Sequence, residues 1–374
     1  MDKPENRKRL RVLFFTLYGF GGASSRYRVY QYLPFLKEEG IDYAICPLYT
    51  DDFERISAVL KRCGSYLSRL FNRAYLCWGY LRRFFQILGA GRYDRVFIQK
   101  ELMPAFLLGL LTCRNPDIIF DFDDAIYLSD EEQRKIFGRV MLKGTKGRID
   151  RVLSRSRKVV VGNEVIGSYA KGFCPVVVKI PVAIDTHRYG YSRKERGEKI
   201  VLGWIGRERN ISYLEELGGV FRKLLGLSLD FQLLVIGVDE KKINMDGVPV
   251  RSLDWSYQSE IEDLSNIDIG LMPLADDDWS RGKGGCKLLQ YMALGIPTVS
   301  SPVGINADII RDGMNGFLAS TQDEWIDKIA RLAGDRDLRD KMGKNARDTI
   351  ENEYSLQKWA RIFIHTLEEG GHAN

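Results

Sequence analysis

Histidine is scarce in this chain of 374 residues: only His187, His365 and His372, two of them near the C-terminus. A histidine-rich metal centre is hard to assemble from so few. The six cysteines (Cys46, Cys63, Cys77, Cys113, Cys174 and Cys286) include no close-spaced pair of the kind that binds zinc or exchanges disulfides. They are expected as small core residues in a reducing compartment, and no metal is expected. No stretch reaches the roughly 18 apolar residues of a membrane-spanning helix; the longest apolar run centres on residues 105–111. The opening MDKPENRKRLRVLFF sets basic residues before an apolar run, as a secretory signal does. That run is short and passes into Gly21-Gly22 and a charged helix with no small-residue cleavage site, so a first buried strand is expected instead. Repeats and low-complexity tracts are missing too, and 45% hydrophobic with 28% charged residues is ordinary globular composition.

Another absence is local. From Arg55 to Tyr93 there is no acidic residue, while Arg55, Lys61, Arg62, Arg69, Arg73, Arg82, Arg83 and Arg92 alternate with Tyr66, Phe71, Tyr75, Trp78, Tyr80, Phe84 and Phe85. Cationic, aromatic helices bind the interface of anionic bilayers, so residues 55–93 are expected to attach the chain to an anionic membrane surface. No stacking platform or RNA motif accompanies them, and no nucleic acid is expected as a partner. The net charge of +6 is unevenly spread: residues 1–190 hold 32 Lys and Arg against 20 Asp and Glu, and the remainder 24 against 30. The first half is thus suited to meeting something anionic.

Strand-like runs fall at residues 10–17, 43–47, 95–99, 117–122 and 158–162, with helix-length segments between them and a helix expected over Ser25 to Glu39. A second series follows at 199–205, 231–236, 267–272 and 297–301. Alternation of this kind predicts an α/β fold of two parallel-sheet, Rossmann-like domains. Residues 185–198, charged and without apolar periodicity, read as the connection, dividing the chain into 1–190 and 191–374. Apolar spacing over residues 354–369 predicts a last helix that packs on something, possibly crossing back to the first domain. Open α/β sheets bind ligands beyond the carboxyl ends of their strands, so the active site is expected in a cleft between the domains.

The most informative stretch is IDIGLMPL, then SRGKGGCKLLQYMALGIPTVSSPVGINADII, then RDGMNGFLA. A buried strand ends near Met272-Pro273, and a glycine-rich loop carrying Lys283 opens a helix at about Cys286. Loop glycines free backbone N–H groups, and a helix start carries roughly half a positive charge. With Lys283 and Lys287 beside it, the turn is suited to a diphosphate. Singly, these lysines and glycines read equally well as a solvated helix start and a turn. The next loop, Ser301 to Asn306 with Gly304, precedes another helix and offers further N–H donors.

The run KLLQYMALGIPTVSSPVG, with DIGLMPL before it and NGFLA after, resembles the donor half of the retaining glycosyltransferases of family 4. The resemblance extends through VLGWIG (201–206), KIPVAID (179–185) and VVGNEVIGSYA (160–170) to the first glycine turn, over most of the chain. It implies the GT-B fold of two facing Rossmann-like domains. The activity it implies is transfer of a sugar from a nucleotide-sugar donor, UDP- or GDP-linked, to the hydroxyl of a glycan or lipid-linked acceptor with retention, in bacterial cell-surface polysaccharide or glycolipid assembly. The nucleotide-sugar is then a substrate and no cofactor is implied. The implied place of work is the cytoplasm, peripheral on the inner face of the cytoplasmic membrane.

By this resemblance Gln290 takes the place of the glutamate that binds the ribose hydroxyls, and Gly282 that of a second glutamate, eight positions earlier, that touches the donor sugar. Lys283 and Lys287 take the phosphates. Arg207, with Arg209 as alternative, is directed at the diphosphate as a clamp on the leaving group. Gly304, Asn306 and Asp308 line the donor. In the first domain, Gly21 and Gly22, followed by Ser24, Ser25, Arg26 and Arg28, match the loop that approaches the donor phosphates, with Arg26 or Arg28 available to an anionic acceptor. Asp121, Asp123 and Asp124 crowd the end of an apolar strand, an arrangement typical of functional sites. Asp123 is the choice for a residue facing the acceptor hydroxyl, with helix capping as the plainer role. Asp121-Phe122-Asp123 also mimics a metal-binding Asp-x-Asp, a minor alternative. Two other activities stay open: a sugar-nucleotide epimerase or hydrolase on the same fold, and a non-catalytic sugar-nucleotide-binding subunit.

Overall fold

The computed structural model describes residues 9–63, 65–137, 144–190 and 199–369. The chain divides into two compact units, Met1–Pro181 with Trp359–Asn374, and Val182–Lys358. The first is built on strands β1 (Arg11–Tyr18), β2 (Asp42–Tyr49), β3 (Arg95–Gln99), β4 (Ile118–Phe122), β5 (Lys158–Val161) and β6 (Val177–Lys179). All pair in parallel, in the order β2-β1-β3-β4-β5-β6. Val12, Phe14, Phe15, Val96, Phe97, Ile98, Ile118 and Phe120 are buried. A sheet covered on both faces needs continuous apolar runs, which is what made these strands readable. The short β6 escaped because an edge strand of three residues, partly exposed, leaves no such run.

Where one helix was expected over Ser25 to Glu39, the chain forms helix Ala23–Arg28, a 3-10 turn Tyr30–Tyr32 and helix Leu33–Glu38. The cause is Pro34, which has no N–H for the ladder and crowds the preceding turn, so it is tolerated only in a helix's first turn. The C-terminal helix Leu356–Glu368 passes from one unit to the other at Trp359. Its Phe363 stacks on Tyr32, ring centroids 4.4 Å apart, and packs on Phe97.

The second unit holds β7 (Ile200–Ile205), β8 (Phe231–Ile236), β9 (Val250–Leu253), β10 (Ile269–Met272), β11 (Thr298–Ser300) and β12 (Phe317–Leu318), ordered β12-β11-β10-β7-β8-β9 and all parallel. Again the unforeseen strands, β9 and β12, are the short edges. At its centre Gly203 pairs with Gly270. A Cβ on Gly270 would sit 2.6 Å from the Tyr291 ring, so the missing side chain lets helix Cys286–Ala293 lie close on the sheet. The Tyr291 hydroxyl then accepts a hydrogen bond from the Ile205 N–H at 2.9 Å, tying the helix to the end of β7.

Of the expected connection, residues 191–198 lie outside the described residues. Before them, Asp185 accepts from the N–H of His187, and Tyr189 is buried. Among the described residues no helix is long and apolar enough to cross a membrane.

Candidate functional site

In the second unit the chemistry gathers where β7 ends and helix Cys286–Ala293 begins. Gly285 caps that helix with φ +68, a left-handed conformation natural to glycine, and exposes the first turn's N–H groups. Lys283 lies in the loop just before the helix and Lys287 in its first turn. Their ammonium groups rest on aromatic faces: Lys283 Nζ lies 4.7 Å from the Tyr213 ring centre and Lys287 Nζ 4.2 Å from that of Trp204. Such contacts hold a cation in place without neutralising it. Burial, together with the charges of Lys283 and Arg209, pushes the Lys287 ammonium down to about 7. An anion placed beside it would remove that repulsion and favour the charged form. At Gly206, directly after β7, an added Cβ would lie 2.9 Å from Lys287 Nζ and 2.3 Å from the Trp204 ring, so only glycine leaves the lysine its room.

The second glycine loop is braced against the first. Gly304 has φ +54, and a Cβ there would meet the Arg281 carbonyl oxygen at 2.6 Å; a Cβ on Gly285 would meet Ile305 at 3.0 Å. Asn306 belongs to this bracing: it is fully buried, and its amide donates to the Ser301 carbonyl at 3.2 Å. Its amide thus shapes the loop from inside, while its side-chain oxygen is buried without a hydrogen-bond partner. Asp308 is exposed and sits beside Tyr354, whose phenol it helps to keep protonated after burial, and it is not among the groups acting on Lys287. Of the two arginines, Arg209 is the one whose charge reaches Lys287, while Arg207 is exposed at the start of a 3-10 turn. Gly282 is buried and accepts no role beyond the turn that positions Lys283.

Gln290 is almost fully buried, and its amide nitrogen donates to the Tyr189 hydroxyl at 2.8 Å. Tyr189 in turn donates to Glu260 at 2.6 Å, and Trp255 donates to the other Glu260 oxygen at 2.6 Å. The Gln290 carbonyl receives the Cys286 thiol at 3.9 Å, a weak contact that leaves acceptor capacity toward the helix start. Tyr189 and Glu260 were invisible in the sequence because they reach Gln290 from 101 and 30 positions away, on segments with no motif of their own.

The first unit carries a separate polar cluster at the carboxyl ends of β1, β3 and β4. Gly21 is fixed by its N–H donating to Asp51 at 2.9 Å, and Gly22 packs so tightly that a Cβ would lie 2.3 Å from Tyr18. Arg26 turns back onto this loop, over the Phe20 and Tyr27 rings with its guanidinium near the Phe20 carbonyl at 3.4 Å. Arg28 is buried in an ion pair with Asp121 and also donates to the Ile180 carbonyl, an arrangement that holds the guanidinium charged. Arg28 is therefore held by the fold, while Arg26 is buried against its own loop. Asp123 accepts from Ser24 Oγ at 2.8 Å and from Lys100 Nζ at 2.9 Å, and Asp124 pairs with the same lysine. With Asp121 on Arg28 and Asp123 on Lys100, these carboxylates are neutralised by side chains, as a structural ion-pair network needs and an Asp-x-Asp metal site does not. Among the described residues no group of three His, Cys, Asp or Glu is placed to hold a metal ion.

Two all-parallel six-stranded sheets define an α/β class of fold, and comparison with known proteins adds to it. Residues 193–349 match the model described as glycosyl transferases group 1. It is 24% identical over 170 residues to the capsular polysaccharide biosynthesis glycosyltransferase CapM of Staphylococcus aureus, a stretch covering 43% of this chain and 43% of the relative. The match thus spans less than half the length of that curated relative. Among solved structures, WaaG, a glycosyltransferase involved in lipopolysaccharide biosynthesis, superposes with a TM-score of 0.67 at 14% identity, covering 96% of this chain and 100% of that one. Anabaena Alr3699/HepE in complex with UDP-glucose gives 0.66 at 13% identity, covering 96% and 99%. At such identities the structures establish the fold, which is GT-B.

Proposed function

We propose that this protein is a glycosyltransferase that moves a sugar, with retention, from a UDP- or GDP-sugar to a hydroxyl of a glycan or lipid-linked acceptor in bacterial cell-surface polysaccharide or glycolipid assembly. The observation that carries the reading is the pair Lys283 and Lys287 at the N-terminus of helix Cys286–Ala293, between two glycine loops and within reach of the Arg209 charge. As the bond from C1 to the phosphate oxygen lengthens, negative charge accumulates on the departing diphosphate. Fixed cations and backbone N–H groups stabilise that charge more than they stabilise the intact donor. The acceptor oxygen then bonds to C1 on the face that the diphosphate leaves, and the acceptor's proton departs with the diphosphate. Gln290 is assigned to a ribose hydroxyl through its carbonyl, and Arg207 to the diphosphate once its exposed side chain swings toward it. The named relatives, one in capsule and one in lipopolysaccharide biosynthesis, support the polysaccharide setting.

Incubation with radiolabelled UDP- and GDP-sugars, with and without lipid and glycan acceptors, tests the reading. Acceptor-dependent release of nucleoside diphosphate with label in the acceptor is expected. Free sugar formed without an acceptor would mean a hydrolase, a changed sugar nucleotide an epimerase, and no turnover with tight nucleotide binding a non-catalytic subunit.

The membrane assignment belongs to the same reading, with its residues revised. Helix Ser65–Leu88 exposes Tyr66, Leu67, Leu70, Trp78, Leu81 and Phe85, an apolar face with Arg69 and Arg73 on its flank. An exposed face of this size marks a surface that is covered in use, and the acid-free flank matches anionic lipid. Arg83 is not part of it, being buried against Glu101 and over the Phe15 ring, and Arg82 donates to the Pro47 and Leu48 carbonyls. The side chains of Lys61 and Arg62 lie outside the described residues. In flotation with phosphatidylglycerol vesicles, Trp78→Asp with Phe85→Asp is expected to weaken binding by about tenfold or more, as loss of two buried rings implies. Unchanged flotation of that variant would remove this helix from the membrane assignment.

A further inference from the structure

Lys100 was not singled out by any sequence motif, yet it stands at the centre of the first unit's polar cluster. It follows directly after β3 and adopts φ +58, a left-handed conformation that side chains other than glycine seldom take. Three contacts impose it. The Lys100 N–H donates to the Asp121 carbonyl at 2.7 Å. On one side Gln99 is buried, accepting from Ser25 Oγ at 2.7 Å and donating to Ser24 Oγ at 3.0 Å. On the other side Glu101 is buried in its pair with Arg83. Held so, the side chain points across to β4's end, where its ammonium bridges Asp123 and Asp124. Backbone strain concentrated at a functional cluster is a recurrent use of such conformations.

We infer that Lys100 is a positioning residue for transfer: it holds Asp123 by one carboxylate oxygen and leaves the other to orient the acceptor hydroxyl. This rests on the transferase reading above. Asp123 is 9% exposed, and its Oδ1 accepts from Lys100 while its Oδ2 accepts from the Ser24 hydroxyl, which has a single proton to share between both oxygens. Burial would by itself push the carboxyl up; the charges of Lys100 and Arg28, with hydrogen bonds from Lys100 and Ser24, outweigh it and hold Asp123 below the usual carboxylate range. The other charged neighbours are Asp121, neutralised by Arg28, and Asp124, which shares Lys100. A carboxylate this weakly basic accepts a hydrogen bond and keeps no proton. In the transfer step the acceptor oxygen bonds to C1, the C1–O bond to the diphosphate breaks with its electron pair going to the diphosphate, and the acceptor's proton follows to a phosphate oxygen. Asp123 thus orients the hydroxyl without becoming protonated.

The test compares wild type with Lys100→Met and Lys100→Arg, each checked for folding by its melting curve and by unchanged nucleoside diphosphate binding, which belongs to the second unit. With Lys100 removed, the Asp123 carboxyl loses its main counter-charge while staying buried, so its proton is held to higher pH. Lys100→Met is expected to introduce into kcat/KM for the acceptor an acid limb that the wild type lacks, with roughly tenfold lost from the alkaline to the acid side of the profile and the KM for the sugar nucleotide unmoved. Lys100→Arg keeps a cation and is expected to restore the wild-type profile. Carbon-13 NMR of the aspartate carboxyls reads the same shift without turnover, Asp123→Asn supplying the assignment. A carboxyl titration that does not move in Lys100→Met overturns the inference whatever the enzyme transfers. A shifted titration with a wild-type acceptor profile also overturns it, because Asp123 then has no part in orienting the hydroxyl. Failure of wild type to transfer any sugar, with the carboxyl shift present, would instead sink the transferase reading and the role with it.

Discussion

Lys283→Ala is expected to lower sugar transfer by about 10²–10³-fold, the usual loss when one fixed donor to a developing anion is removed. Lys283 sits one turn before a helix N-terminus, over the Tyr213 ring, and its charge already acts on Lys287. Removing it leaves the departing diphosphate with less compensation in the transition state than in the ground state, so kcat is expected to fall more than nucleotide affinity. Steady-state kinetics with binding measured by calorimetry separates the two, and unchanged turnover would refute the role. The pH dependence follows from Lys287. In the free protein its ammonium is half protonated at about 7, and a bound diphosphate favours the charged form. Binding therefore takes up a proton above pH 7, and affinity should fall by up to about tenfold per pH unit from there until the bound-state value is reached. Lys287→Arg, charged throughout, should flatten that slope.

Gly304→Ala should cost on the order of 3 kcal/mol and, for a unit of this size, lower the melting temperature by roughly 10 °C. Two separate strains add. A φ of +54 is one that alanine adopts only at a cost, and its Cβ would press to within 2.6 Å of the Arg281 carbonyl oxygen, which is backbone and cannot rotate away. If the chain relieves the clash by moving the loop, the damage passes to Gly285 and Lys283 through the contact with Ile305, and nucleoside diphosphate binding weakens in step with the melting point. Scanning calorimetry with and without UDP checks both outcomes. An alanine variant that melts like the wild type would mean that the two loops are not locked together.

The parallel sheets were legible because buried strands of such sheets are continuous apolar runs: residues 95–99 and 231–236 were read to the residue, and β1 to within one. Edge strands β6, β9 and β12 were not, since edges of only two to four residues carry no contrast with loop sequence. Pro34 breaks the first helix through a covalent restriction that the apolar periodicity on both sides of it does not reveal.

What the amino-acid sequence determined alone is local: glycine loops with lysines at fixed offsets from a helix start, because a helix terminus and its side chains are set by neighbours a few positions apart. Tertiary structure decided everything that depends on charge meeting charge across distant segments. It drew Arg26 and Arg28 inward and tied Arg83 to Glu101. It placed Arg209 beside Lys287, seated Gln290 on Tyr189 and set Lys100 between two aspartates. The reason is that the cost of burying a charge is offset only by a partner at hydrogen-bonding distance, and which partner stands there is a property of the packed sheet, not of the order of residues along the chain.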